Sequence, residues 1–359
     1  MIIYFAYYTF VCILGLKYSK IKSQKNKIFA FLFAFLFLFF ICALRHPSMG
    51  IDLHYGFSDG YIGRFQYISE QNWGYLLKNH STDYDLQSYE IGYVLFNKII
   101  SVFGNNSQLL LSFVALLSIF PIFVVYYKES NSFVFSILVY LAFPCFFAVF
   151  SALRQACAIG ICFMSYKFIK ERKIIPFILF ILLASTFHIT ALVFLLSYPL
   201  YTIRIKKIYK YFMVVLVGII FLFRNQIFIL LMHLFNKGIT PDNNGAINLF
   251  LFFIALYIVL SLISKENKEL NGLMNILLLL VIIQCFGNVH SYITRIGYYF
   301  MPFLGLLIPK SIKNIKVEYR GICKITFICF FIGYGLFSIY QSGIGWAQAY
   351  PWIPFWKEI

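Results

Sequence analysis

Residues Ser151 to Tyr201 read SALRQACAIGICFMSYKFIKERKIIPFILFILLASTFHITALVFLLSYPLY. Arg154 stands at the head of an apolar run. A basic turn follows, with Lys167, Lys170, Arg172 and Lys173, and then 28 residues from Ile174 to Tyr201 with His188 among them. Beyond lie Arg204, Lys206, Lys207 and Lys210. Basic clusters next to apolar spans mark the cytoplasmic side of a membrane. Both flanks of Ile174–Tyr201 are basic, so both belong on that side. The run is therefore expected to be two short helices meeting near Phe187-His188 at the opposite side. Broken helices at membrane depth are tolerated where they line a polar cavity. The same rule places Arg154 at that opposite side, and a guanidinium and an imidazole inside apolar sequence are costly in lipid and usually functional.

Working outward, the pattern repeats. The 359 residues are 61% hydrophobic and only 12% charged, against about 25% charged in a soluble domain, and mean hydropathy is +0.81. Apolar runs of spanning length alternate with short polar loops, and the alternation of a membrane β-barrel is absent. The expected fold is an all-α polytopic membrane protein of about 10–12 transmembrane helices, one domain over residues 1–359. Met1–Leu16 reads as a first span rather than a cleaved leader, since no basic segment precedes it. Further spans are expected at Ile28–Leu44, Gln108–Tyr127, Phe133–Phe150, Ala152–Ile169, Ala246–Ser264, Gly272–Val289, Ile296–Pro309 and Ile325–Tyr340, with another starting near Tyr211 and reaching Arg224. Ile91–Phe103 is too short and polar to cross and reads as interfacial or re-entrant. The eight cysteines lie in or beside apolar runs without metal-ligand spacing, as packing residues do.

The net charge of +17 does not indicate nucleic acid, because the charges sit in short clusters between spans. With these spans the cytoplasmic loops hold 21 Lys/Arg and 5 acids, and the outer segments 9 and 8. Arg45, Asp52, Glu90, Arg154, Arg224, His188, His290 and Arg295 all fall outside. The outer segment from Arg45 to Glu90 is long and acidic, and an ordered loop of that length is usually functional. Arginines held outside against the charge bias suit an anionic partner, since guanidinium matches phosphate bidentately; snorkelling or an ion pair is the plain alternative. Asp52 and Glu90 are candidate general bases, with Glu90 alternatively a favourable acid at a helix N-terminus. His188 is either functional or a hydrogen-bonded core residue. Tyr55, Tyr61, Tyr67, Trp73 and Tyr75 of the outer loop could stack on sugars or simply pack. His46, Asp52 and His54 lack firm metal-ligand spacing, and no P-loop, dinucleotide fingerprint or nucleophile elbow occurs.

Four pieces in this order resemble the EpsG family of bacterial exopolysaccharide proteins, related to the Wzy-type repeat-unit polymerases. They are Arg45 with Gly50-Ile51-Asp52 and Tyr55; Glu90-Ile91-Gly92-Tyr93; Arg154-Gln155-Ala156 with Phe187-His188-Ile189-Thr190-Ala191-Leu192; and Arg295-Ile296-Gly297-Tyr298-Tyr299-Phe300. Tyr55 sits one place nearer Asp52 than the family pattern. The resemblance implies a multi-spanning enzyme similar to glycosyltransferases with lipid-linked donors (the GT-C-like class), in a bacterial cytoplasmic membrane with its active face outward. It implies transfer of a growing glycan from polyprenyl pyrophosphate to an incoming lipid-linked repeat unit. Asp52, then Glu90 or His188, would be the base. Arg154 and Arg295, supported by Arg45, would hold the pyrophosphate. Tyr93, Tyr298 and Tyr299 would contact glycan. Direct displacement would invert the anomeric centre, and neither cofactor nor metal is demanded. A flippase and a chain-length regulator of the same pathway are the implied partners, with membrane lipid and no nucleic acid. Two other functions fit the composition: a flippase for the lipid-linked unit, or a membrane O-acetyltransferase.

Overall fold

The computed structural model describes residues 1–18, 23–53, 59–205, 207–234, 240–241, 247–263, 267–343 and 345–358. Among them the protein is all-α, with a single isolated bridge in place of any strand. The chain divides into two compact units, Met1–Leu192 with Thr326–Ile359, and Val193–Ile325.

The first unit begins with α1 (Ile2–Tyr18) and α2 (Gln24–Ala43). The described part of the expected outer loop is partly helical. It holds α3 (Tyr61–Glu70) and α4 (Trp73–Asn79). Ile62, Phe65 and Ile68 recur at helical spacing in α3 and are buried, each contributing about 2 kcal/mol of apolar burial. The Asn72 side chain caps α4 by accepting from the Tyr75 amide at 2.7 Å. Asp83 ties the two helices together, accepting the Tyr67 and Tyr75 hydroxyls at 2.6 and 2.8 Å. Next come α5 (Ile91–Ser101), the short helix expected there, and α6 (Ser107–Glu129), capped by Asn106.

Three later runs are broken. The run Phe133–Phe150 becomes α7 (Phe133–Leu141) and α8 (Pro144–Phe147), because the residue before a proline is driven to extended backbone, as Phe143 is. The run Ala152–Ile169 becomes α9 (Leu153–Met164) and α10 (Tyr166–Lys170). The run from Ile174 becomes α11 (Ile174–Ser185), a break at Thr186–His188, and a 3-10 stretch at Ile189–Leu196, so the expected break falls where the charge rule put it. Gly160 of α9 lies so close to α6 that a Cβ there would be 2.5 Å from the Leu117 carbonyl.

The first unit has two polar ends. At one, Gln24 donates to Tyr127 at 2.8 Å and Lys170 pairs with Glu129 at 2.6 Å. At the other, the start of α6 meets the end of α2, where Gln108 donates to the Arg45 carbonyl at 2.9 Å. The residues expected on the cytoplasmic side and those expected outside thus separate to opposite ends of α2 and α6. A segment near the C-terminus closes the second end. The His46 amide donates to the Ile353 carbonyl at 2.7 Å, the Phe355 amide to Leu44 at 3.0 Å, and Trp352 Nε1 to the Ile41 carbonyl at 2.9 Å.

The second unit holds α12 (Ser197–Leu200), α13 (Lys207–Leu222), α14 (Arg224–Leu234), α15 (Ile247–Ile263), α16 (Lys268–Cys285), α17 (Ser291–Ile296) and α18 (Leu304–Lys313). Then α19 (Val317–Ser342) leads back to the first. The Asn275 amide donates to the Leu200 and Ile203 carbonyls, and Lys310 pairs with Glu269 at 2.7 Å. The run Ile296–Pro309 is not one helix but 3-10 turns at Gly297–Tyr299 and Met301–Phe303 followed by α18.

Among the described residues, four helices are long and apolar enough to cross a membrane: α2, α6, α16 and α19. A fifth span arises if α13 and α14, bent by 73°, count as one. The protein is multi-pass, and several of the apolar runs are delivered as shorter or broken helices. The expected outer loop at residues 236–245 lies mostly outside the described residues, as do His54 and Tyr55.

Candidate functional site

Glu90 immediately precedes α5 and is its N-cap residue, but its carboxylate does not cap the helix. It turns instead to two other elements. Oε2 lies 2.6 Å from Arg154 Nη1 at the start of α9. Oε1 lies 3.1 Å from His188 Nδ1 and accepts the Ile189 amide at 2.9 Å. The sequence permits this meeting through Gly92. The N-terminal end of α5 docks on the break after α11, where the Tyr93 amide donates to the Thr186 carbonyl at 3.2 Å, and a Cβ on Gly92 would collide with Thr186 Oγ1. A carboxylate only accepts, so His188 Nδ1 carries the proton in this bond. Its Nε2 then points away from Glu90.

Arg154 is held on several sides. Nη1 also donates to the Ser88 carbonyl at 2.8 Å, and Nε makes a long contact of 3.4 Å to the Tyr61 hydroxyl. The guanidinium carbon lies 4.5 Å from the Tyr89 ring centre, a contact of about 1 kcal/mol. Tyr61 and Tyr89 are themselves stacked at 5.4 Å. The side chains of Arg154 and Glu90 are 20% exposed and that of His188 24%, so the cluster borders solvent.

The Asp52 segment meets the chain just before α9. Its segment is set by Gly50, whose φ of +118° suits only glycine and whose Cβ would collide with the Phe150 carbonyl. The Asp52 amide donates to Ser151 Oγ at 3.1 Å, three residues before Arg154. The half-buried carboxylate acts electrostatically on Tyr61 and Tyr89. Among the described residues it makes no ion pair.

Four of the expected site residues are buried. Arg45 is fully buried and its guanidinium donates to the carbonyls of Cys42, Val149 and Phe150 at 2.8–3.3 Å while lying over the Phe150 ring. The guanidinium is enclosed, and it braces the turn that leads to Ser151 and Arg154. Tyr93 is wholly buried among Tyr61, Tyr89 and Phe187, and Tyr298 and Tyr299 are buried within their turn in the second unit. All three are core residues rather than surfaces for glycan. Among the loop aromatics, Tyr61 lies beneath Arg154, and Tyr67 and Tyr75 are spent on Asp83; Trp73 remains exposed. Arg295 is half-buried on α17 of the second unit. His46 bonds Ser48.

Glu90 is also a poor base. Burial pushes its carboxyl up, but the His188 bond, the Arg154 charge and the Ile189 amide outweigh it and bring it down from 4.5 to about 2. Its two oxygens are taken up by Arg154, His188 and the Ile189 amide. A depressed carboxyl stabilises the fold above its unfolded value, and that stabilisation is lost as pH falls toward the folded one. The span from 4.5 to about 2 corresponds to on the order of 3 kcal/mol. Thermal melting in detergent is expected to drop steeply between about pH 4.5 and 2, and Glu90→Gln to flatten that drop while lowering the neutral-pH midpoint. Parallel curves for the two proteins would refute the pairing.

Sequence reasoning missed Arg64, Tyr61 and Tyr89 as parts of this cluster. Arg64 lies in no motif; its only signal was a position beside Tyr61, one helical turn away.

Compared with known proteins, the chain matches the EpsG family model over residues 28–355. No curated protein and no solved structure matches it.

Proposed function

Because the chain belongs to the EpsG family, membrane proteins of exopolysaccharide biosynthesis, we propose that it is a polysaccharide repeat-unit polymerase. In this reading it moves a growing glycan from polyprenyl pyrophosphate to the hydroxyl of an incoming lipid-linked repeat unit, on the outer side of a bacterial cytoplasmic membrane. The observation that carries it is the convergence of Arg154, Glu90, His188 and Asp52 at one polar end of the first unit.

The chemistry has three requirements. The acceptor hydroxyl must lose a proton as its oxygen bonds to the anomeric carbon. The bond from that carbon to the pyrophosphate must break, its electron pair leaving on phosphate. The charge that develops there must be met by fixed cations. Asp52 is the group we assign to the proton, since its carboxylate makes no ion pair among the described residues. His188, oriented by Glu90 in the manner of a base held by a carboxylate, is the second choice. Arg154 meets the leaving pyrophosphate while Glu90, Ser88 and Tyr89 hold it in place.

The test is to delete the gene in its host, complement with the wild-type gene, and size lipid-linked and surface polysaccharide. The expected result is single repeat units exposed on the outer face with no ladder, restored by complementation. Units trapped inside would mean a flippase. A normal ladder lacking only a substituent would mean a decorating O-acetyltransferase.

A further inference from the structure

Arg64 shares its surroundings with Arg154. It follows Tyr61 by one turn of α3, so the two side chains lie on one helix face. Its guanidinium carbon lies 4.8 Å from the same Tyr89 ring that Arg154 covers at 4.5 Å. Both arginines bond Ser88: Arg154 Nη1 donates to its carbonyl and Arg64 Nη1 to its hydroxyl. Two guanidinium groups are thus gathered about one serine and one aromatic ring.

Their charges are not equally met. Arg154 has Glu90 at 2.6 Å. Among the described residues Arg64 has no carboxylate partner, and its Nε is buried without a hydrogen bond. Arginine does not shed its charge at any working pH. A cation–π contact at a half-exposed site supplies about 0.5–1 kcal/mol, far less than a well-placed anion. Like charges on one ring repel, so this arrangement is costly unless an anion joins it. A diphosphate presents two adjacent anionic groups, which suits a pair of guanidinium forks rather than one.

We propose that Arg64 is a substrate-binding residue of this site and that it and Arg154 together select a diphosphate over a monophosphate. The proposal rests on the polymerase reading and names the group that recognises its lipid carrier.

The experiment uses the full-length protein in detergent with three probes of one tail: geranylgeranyl diphosphate, geranylgeranyl monophosphate and geranylgeraniol. Wild-type protein is expected to bind the diphosphate at least tenfold more tightly than the monophosphate. Arg64→Gln should lose about tenfold for the diphosphate, less for the monophosphate and nothing for the alcohol, so that the selectivity collapses. Arg64→Lys, which keeps the charge, should recover part of the loss. Unchanged diphosphate binding in Arg64→Gln, or an equal loss for all three probes, overturns the role of Arg64 and leaves the polymerase reading standing. Wild-type protein that binds the diphosphate no better than the alcohol overturns both.

Discussion

Arg154→Ala is expected to abolish the polysaccharide ladder, with a loss of at least 100-fold in polymer and accumulation of single lipid-linked units. Removing one preorganised donor to a developing anion costs about 10²–10³ in rate. The loss here is larger in kind, because Arg154 also joins four partners. Without it Glu90 keeps His188 and the Ile189 amide, the Ser88 carbonyl loses a donor, the Tyr61 hydroxyl loses its contact, and Tyr89 keeps Arg64 alone of its two cations. Leaving a partly buried carboxylate short of its cation is itself destabilising. The gel must therefore be read beside the amount of inserted protein. Arg154→Lys separates charge from shape. An ammonium cannot reproduce the planar fork that reaches Glu90, Ser88 and Tyr61 together, so a loss of about tenfold or more is expected even with normal insertion. A wild-type ladder from either variant would remove Arg154 from the mechanism.

Asp52→Asn is expected to be nearly as damaging to activity and almost silent in stability. A positioned base contributes about 10²–10⁴ in rate, and an amide cannot take the proton. The fold should not notice, because the contact that fixes this segment is made by the Asp52 amide nitrogen on Ser151, and the tight approach is made by Gly50. The measurement is the initial rate of chain growth in membranes, with melting of the purified variant alongside. An Asp52→Asn protein that melts as wild type and loses at least 100-fold in rate supports the assignment. Retained activity in Asp52→Asn together with its loss in His188→Ala would move the base to His188, with Glu90 as its orienting carboxylate.

Part of this site is legible in the amino-acid sequence. The two basic flanks of Ile174–Tyr201 locate the break at Thr186–His188, and the bias of basic loops puts Glu90, Arg154 and His188 on one side. That information is a property of order along the chain, since it depends only on which side each loop must occupy. What satisfies each charge once the helices pack is not legible. Arg45 and Arg154 look alike in sequence, both arginines beside apolar runs. One is enclosed by backbone carbonyls, and the other borders solvent with a carboxylate. Tyr93 lies in the same motif as Glu90, yet the helix turns it into the core. Arg64 escapes notice because its significance comes from Tyr89, twenty-five residues on, and from Ser88 beside it. Broken runs such as Phe133–Phe150 are misjudged because hydropathy counts residues and does not see Pro144 end a helix.

The pairing of residues near 353 with Leu44 and His46 also has a consequence in time. Trp352 and Ile41 are 311 positions apart. At about 5–20 residues per second, a ribosome needs roughly 15–60 s to travel between them. For most of that interval Glu90, Arg154 and His188 have already been made, while the segment carrying Arg45 and Gly50 still lacks its partner. Maturation of the Asp52 side of the cluster is therefore a late event of biogenesis, set by the length of chain that must be synthesised first.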